Sequence, residues 1–232
     1  MARPFSLLAA AALLGGASLA RAEPSGSVTL LAGQASASRA GVLRALRAGS
    51  AVQSGDLVST GPATRIEIGL PDGSSLRLGP TSKLRLDEAV FTGGGEKRFS
   101  GKLLFGRLWA KVAATLGGQS HFDIETDNAV AGVRGTIFRV DAGRDHAVLV
   151  RVYAGAVAVA SANRLPRPSP GSGRSEVAGP REVDRAAYEK LVSRAMELRV
   201  SPKGDLGEPA RFSDADEAQD EWVSWNRNRD GQ

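Results

Sequence analysis

FDIETDNAVAGVRGTIFRV, residues 122–140, opens with Phe122-Asp123-Ile124-Glu125-Thr126, an alternation of apolar and polar side chains. That period of two is the signature of a half-buried strand. Thr136-Ile137-Phe138-Arg139-Val140 at the other end is a second β-branched and aromatic run. Between them, Asp127 to Gly135 is built of small residues with two glycines, Gly132 and Gly135. Without a Cβ, glycine takes positive φ at no steric cost and lets backbone pass close to backbone. The spacing therefore predicts two strands meeting through a tight corner, with Gly132 and Gly135 as its structural residues.

Outward from this stretch, short strand signals recur. Val28-Thr29-Leu30, Ile66-Glu67-Ile68, Leu76-Arg77-Leu78 and Leu84-Arg85-Leu86 alternate. Pro71-Asp72-Gly73-Ser74 turns the chain, with proline presetting one φ and glycine supplying another. Leu103-Leu104-Phe105 and Leu108 to Val112 read as two runs separated by Gly106-Arg107, and Gly93-Gly94-Gly95 as a loop. Ala147–Val152 and Ala156–Val159 close the series. No stretch of helical period interrupts it, which excludes a doubly wound α/β fold. The expected class is mainly β: a β-solenoid-like or rolled β domain of short strands, with a sandwich as the alternative.

Residues 1–22 read as a signal peptide. Arg3 precedes the apolar run Phe5–Ala20, and Ala20-Arg21-Ala22 is an A-x-A cleavage pattern before Glu23. The apolar run is shorter than the ~18–20 residues a spanning helix needs. A periplasmic or otherwise exported protein, cleaved after Ala22 and without a transmembrane span in its mature form, is expected; an uncleaved anchor is the alternative. The chain has no cysteine, so packing alone, or a partner, must hold it in an oxidising compartment. Its 30 Lys and Arg against 25 Asp and Glu are scattered and aromatics are few, which is no nucleic-acid footprint.

Residues 23–160 form the expected β domain. Residues 161–183 form a linker or wrap, because Ser161 to Pro180 holds four prolines and three glycines. Residues 184–232 are expected to be helical. Asp184 suits an N-cap, and Tyr188, Leu191, Val192, Ala195 and Leu198 fall on one helical face. A second helix is predicted from Ser213, with Asp216 three residues on and Ala215, Ala218, Trp222 and Trp225 on one face. That face is too short to be stable alone and is expected to dock on the β domain.

Catalytic constellations are sparse. His121 and His146 are the only histidines, beside Asp123 and Asp145. Asp141 to His146 reads as a hairpin loop that also holds possible metal ligands. No nucleophile elbow, zincin pair or P-loop is present. Neither a metal nor a cofactor is expected. Arg134 beside the glycine corner could grip carboxylate or carbonyl oxygens, and with Thr136, Trp222 and Trp225 it makes up the candidate binding residues.

Thr126, Ala129, Val133-Arg134-Gly135-Thr136, Phe138 and Val140, in that order, resemble the most recognisable motif of the FecR domain family. Gly49–Thr60, Pro71–Ser74 with Leu76 and Leu78, and Gly101–Val112 match the same pattern upstream, so the resemblance covers roughly residues 26–160. The tail Trp222–Asp230 is similar to that of stand-alone FecR-domain proteins. The resemblance implies a solenoid-like β fold and a non-catalytic envelope module that binds a protein or glycan, in signalling. Founding members sense loaded outer-membrane receptors from the periplasm and relay the signal to a sigma factor. They begin with a cytoplasmic anti-sigma segment and a transmembrane helix; here a signal peptide stands directly before the β domain, so the resemblance does not extend to sigma-factor control or to iron. A cell-wall hydrolase or metal-dependent enzyme is the alternative. It requires His121, Asp123, Asp141, Asp145 and His146 to converge in one cleft.

Overall fold

Alternation becomes architecture through the inward half of each strand. In Leu76-Arg77-Leu78 both leucines are fully buried, and the same holds for Leu84 and Leu86 around Arg85. The computed structural model describes residues 25–92, 97–114, 120–163 and 189–231. Its strands are β1 (Gly26–Ala32), β2 (Ala35–Arg39), β3 (Val42–Ala45), β4 (Ala51–Val52), β5 (Leu57–Thr60), β6 (Arg65–Gly69), β7 (Ser75–Leu78), β8 (Lys83–Phe91) and β9 (Lys97–Lys111). β10 (His121–Glu125), β11 (Ala129–Val133), β12 (Ile137–Ala142), β13 (Val148–Ala154), β14 (Ala156–Ser161), β15 (Glu189–Ser193), β16 (Met196–Val200) and β17 (Ala210–Arg211) follow. A 3-10 turn (Asp214–Glu217) leads into helix α1 (Glu221–Asp230).

The protein is mainly β, one open mixed sheet with two arms. The first arm runs β4-β1-β6-β7-β9-β12-β13-β16-β17. The second runs β3-β2-β5-β8-β9-β10-β11-β14-β15. β9 belongs to both. Its first part pairs with β8 and β10, and Gly106–Lys111 pairs with β12. Inward side chains of both arms, from Val28 and Ile68 to Phe122, Val159 and Leu198, share one hydrophobic cluster. Phe99 on β9 stacks on Phe122 on β10 with centroids 4.4 Å apart, a contact worth ~0.5–1.5 kcal/mol beyond its burial.

Four expectations change. Only β9 and β10 run parallel among the described pairings. Stacked solenoid coils would set successive turns parallel, so the solenoid pattern is not borne out. The Leu103–Phe105 and Leu108–Val112 runs are not separate strands: β9 carries straight through Gly106. The stretch between Phe122–Glu125 and Ile137–Val140 holds a strand of its own, β11, so the chain turns twice, at Thr126–Asn128 and at Gly135. Finally, the two-helix appendage is not there. Asp184 and Tyr188 lie outside the described residues, as do residues 1–22, Gly93–Gly95 and most of the 161–183 segment. Leu191, Val192 and Leu198 lie on β15 and β16, which pair with β14 and β13. Met196-Glu197-Leu198-Arg199-Val200 alternates, and tertiary pairing favours that period over the helical one. Ala195, at φ +61°, sits in the turn between the two strands, where no helix could pass. Of the two expected helices only the last, α1, exists among the described residues; it starts at Glu221, and Ser213 precedes only the 3-10 turn. No helix among the described residues is long and apolar enough to cross a membrane.

Candidate functional site

The outward face of the first arm carries an unusual row. Strand register sets Glu67 opposite Arg77, Arg77 opposite Trp109, Trp109 opposite Arg139, Arg139 opposite Arg151, and Arg151 opposite Glu197. Six neighbouring strands thus present one line of five charged side chains around a tryptophan. Such a line normally faces water. Here Glu67, Arg77, Trp109, Arg139 and Glu197 are all less than a tenth exposed, because the C-terminal segment lies across them.

Arg139 and Arg151 are like charges directly opposite, a pairing that destabilises a sheet. Glu217 resolves the conflict. Its Oε1 accepts from Arg139 Nη1 at 3.1 Å, from Arg151 Nη1 at 2.8 Å and from the Tyr153 hydroxyl at 2.6 Å. Asp220 does two jobs. Its Oδ1 accepts from the backbone N–H of Trp222 at 3.1 Å and of Val223 at 3.3 Å, capping α1, and its carboxylate pairs with Arg107 and Arg139. At the other end Asp230 accepts from Arg77 Nη2 at 2.7 Å and from Trp109 Nε1 at 2.8 Å. Arg229 donates twice to Glu67 at 2.9 Å, and Arg77 Nε donates to Glu67 at 2.6 Å. Between the charges sits a small apolar cluster of Trp109, Tyr153, Trp222 and Val223. Trp109 stacks on Tyr153 at 4.2 Å and meets Trp222 edge-on at 6.2 Å. The Arg107 guanidinium lies 4.5 Å from the Trp222 ring centroid, a cation–π contact. Gly79 makes room for that ring: a Cβ there would stand 3.2 Å from Trp222 Nε1.

The charges respond to this setting. Burial pushes the Glu67 carboxyl up, but hydrogen bonds from Arg229, Thr29 and Arg77 outweigh it and bring it down to about 2. Burial likewise opposes ionisation of Asp220, and the Arg107 guanidinium overcomes it and holds that carboxyl low. A carboxylate with a depressed folded pKa contributes stability that is complete above its unfolded value, ~3.9–4.3, and disappears as pH falls through the folded value. Docking of α1 is therefore expected to be constant from pH 8 to about 5 and to weaken between about pH 4.5 and 2. Acrylamide quenching of tryptophan across that range checks it; quenching that is flat down to pH 2 contradicts it.

Of the four sequence-derived binding candidates, Trp222 is 3% exposed under α1 and Thr136 is 1% exposed. The Thr136 hydroxyl donates to Ala156 O at 3.1 Å, and its carbonyl accepts from Val112 N–H at 2.9 Å, tying the corner to its neighbours. Arg134 is exposed on that corner, and Trp225 is partly exposed near Arg65, Arg77 and Arg229. Gly135 takes φ +61° as the corner requires. Gly132 is an ordinary residue of β11, paired with Asp123 and Ala158. The corner and the α1 face are thus separate places.

The enzyme constellation does not assemble. His121 faces Glu88 at 3.8 Å, and His146 meets Asp127 at 3.0 Å beside a surface cavity of about 310 Å³. Asp141 pairs with Arg139 on the other arm. Burial pushes the Asp123 carboxyl up, and the neighbouring His121 offsets part of that rise. No group of three or more possible metal ligands forms among the described residues. Sequence reasoning missed Arg77, Trp109, Arg139, Arg151, Glu217, Asp220 and Asp230. The signal available was an arginine at the outward position of strand after strand in a chain whose tail sets a cluster of acids before two tryptophans.

The family model described as FecR protein matches residues 56–158, a span from the start of β5 to β14 that contains the whole row from Glu67 to Arg151. Two crystal structures of proteins from Parabacteroides distasonis, titled as proposed anti-sigma factors, are similar at 18% identity and a TM-score of 0.46. The similarity covers 68% of this chain, and the chain spans 59% of their length. No curated protein sequence matches the chain.

Proposed function

We propose, from the match of residues 56–158 to the FecR protein family model, that the protein is a non-catalytic, exported module that binds a protein partner in the cell envelope as part of a signalling system. That match carries this reading. The Ala20-Arg21-Ala22 pattern supports export, and the failure of the histidines and carboxylates to gather in one cleft favours binding over catalysis. In this reading the short-stranded sheet is a rolled β scaffold that offers contact surface, with Arg134 on the glycine corner and Trp225 beside α1 as candidate contacts. A regulator needs no reacting groups; it needs a surface whose occupancy can change.

Photo-crosslinking in envelope extract, from a probe placed at Arg134 and another at Trp225, tests the reading. A discrete protein adduct from either position is expected. Adducts with nothing but lipid or water from both would remove the partner. Export has its own check. Intact-mass measurement of protein from the native envelope is expected to give a chain beginning at Glu23, and a persistent Met1 or Ala2 start would contradict it.

A further inference from the structure

A sheet face that is meant to stay covered is normally apolar, as the inner face of this same arm is: Ile68, Leu76, Leu108, Phe138, Val150 and Leu198 are fully buried there. The outer row is equally buried but charged. Buried ion pairs hold a cover less firmly than apolar packing of the same area, because the charges give up hydration to form them. They have one property apolar groups lack. When the cover leaves, they rehydrate, and the bare face stays soluble instead of exposing a sticky patch. The contact is also imperfectly matched: Arg107 Nε and Trp222 Nε1 are buried there without a hydrogen bond. The cover is a ten-residue helix at the end of the described chain, preceded by the two-residue strand β17.

We propose that the arginine row is a docking surface for a partner's acidic, tryptophan-bearing helix, and that α1 is its resident occupant. The chemistry of the partner is read from what α1 and the turn before it supply. Carboxylates meet Arg107, Arg139, Arg151 and Arg77, and a tryptophan lies between Arg107 and Trp109 over Gly79. With the segment removed, Arg65, Arg77, Arg107, Arg139, Arg151 and Lys111 face only Glu67, Asp141 and Glu197 from the sheet, so the bare surface favours an acidic ligand. This inference rests on the reading that the chain binds a protein; it adds where and by what chemistry.

The probe is a fluorescein-labelled synthetic peptide of residues 212–231, added to the intact protein and followed by anisotropy. Saturable binding is expected, at least ~10-fold tighter to the Trp222→Ala protein, whose own helix competes less. A peptide with Glu217, Asp220 and Asp230 replaced by the corresponding amides is expected to lose binding. Asp220→Asn in the protein is the milder second variant should Trp222→Ala fail to fold. No binding to the wild type or to a folded variant overturns the proposal, and so does binding that ignores the amide replacements. With the envelope cross-linking probe placed instead at Lys111, on β9 beside the row and near Asp230, the unlabelled peptide is expected to abolish the adduct formed there. An adduct that persists under saturating peptide overturns the docking site but leaves the protein-binding reading intact, whereas absence of any adduct strikes that reading and leaves the peptide titration to judge this one.

Discussion

Gly106→Ala is expected to destabilise the protein by roughly 3–5 kcal/mol, combining a strained backbone with an overpacked contact. Gly106 has φ +103°, outside the small left-handed region that L-residues with a side chain can use. It also stands where β9 passes from one arm of the sheet to the other, opposite Ala142. A Cβ there would lie 2.5 Å from Ser82 Cα. Ser82 cannot step aside. Its N–H donates to Thr60 Oγ1 at 2.8 Å, its Oγ accepts from Arg107 N–H at 2.9 Å, and Thr60 Oγ1 donates to Gly79 O at 2.7 Å. β5, the β7–β8 turn and β9 are locked together at that point, so the whole sheet feels the substitution. A urea-unfolding midpoint lowered in proportion is expected; an unchanged midpoint would mean that the two arms do not share β9 as described.

Trp109→Ala comes next, at about 3–5 kcal/mol. Trp109 is fully buried at the centre of the row. Its loss removes the stack on Tyr153, the edge contact with Trp222 and the hydrogen bond to Asp230. Asp230 would keep Arg77 as a partner, so the charge stays paired while the apolar seat of α1 becomes a cavity. The effect should divide in a telling way. The sheet keeps its inner cluster, whereas α1 loses its seat, so limited proteolysis is expected to release the C-terminal segment before the sheet is cut. A protein that loses less than ~1 kcal/mol and keeps its tail protected would show that Trp109 does not anchor the helix.

The strands were readable because one face of each is apolar and buried, and a period of two survives in the sequence whatever covers the other face. Gly135 was readable for a similar reason: a local backbone need leaves a local mark. Three features were hidden, each by a different cause. β9 looked broken because Gly-Arg reads as a turn, and only Ser82 packed against Gly106 shows why a glycine belongs inside a long strand. The β15–β16 hairpin looked helical because Leu191, Val192, Ala195 and Leu198 fit a 3.6 period by chance. Leu191, placed on that helical face, is 64% exposed on the edge strand β15. The arginine row was invisible because Arg77 between two leucines reads as a solvent-facing residue. Its burial depends on acids about 80 to 150 positions away in the chain (Glu217 for Arg139, Asp230 for Arg77), and no window of local sequence contains both. The docking of the tryptophan helix on the β domain was anticipated, since so short an apolar face needs a seat; that the seat would be made of arginines was not.

Hydrogen exchange measured on the intact protein at neutral pH tests the central claim, that α1 is a releasable cover on a sheet that stands without it. The amides of Ser224 to Asn228 are expected to exchange through local opening, at least ~100-fold less protected than the ladder amides of Trp109 and Arg139 beneath them. Equal protection of helix and sheet, both exchanging only on global unfolding, would contradict it and make α1 a fixed part of the fold.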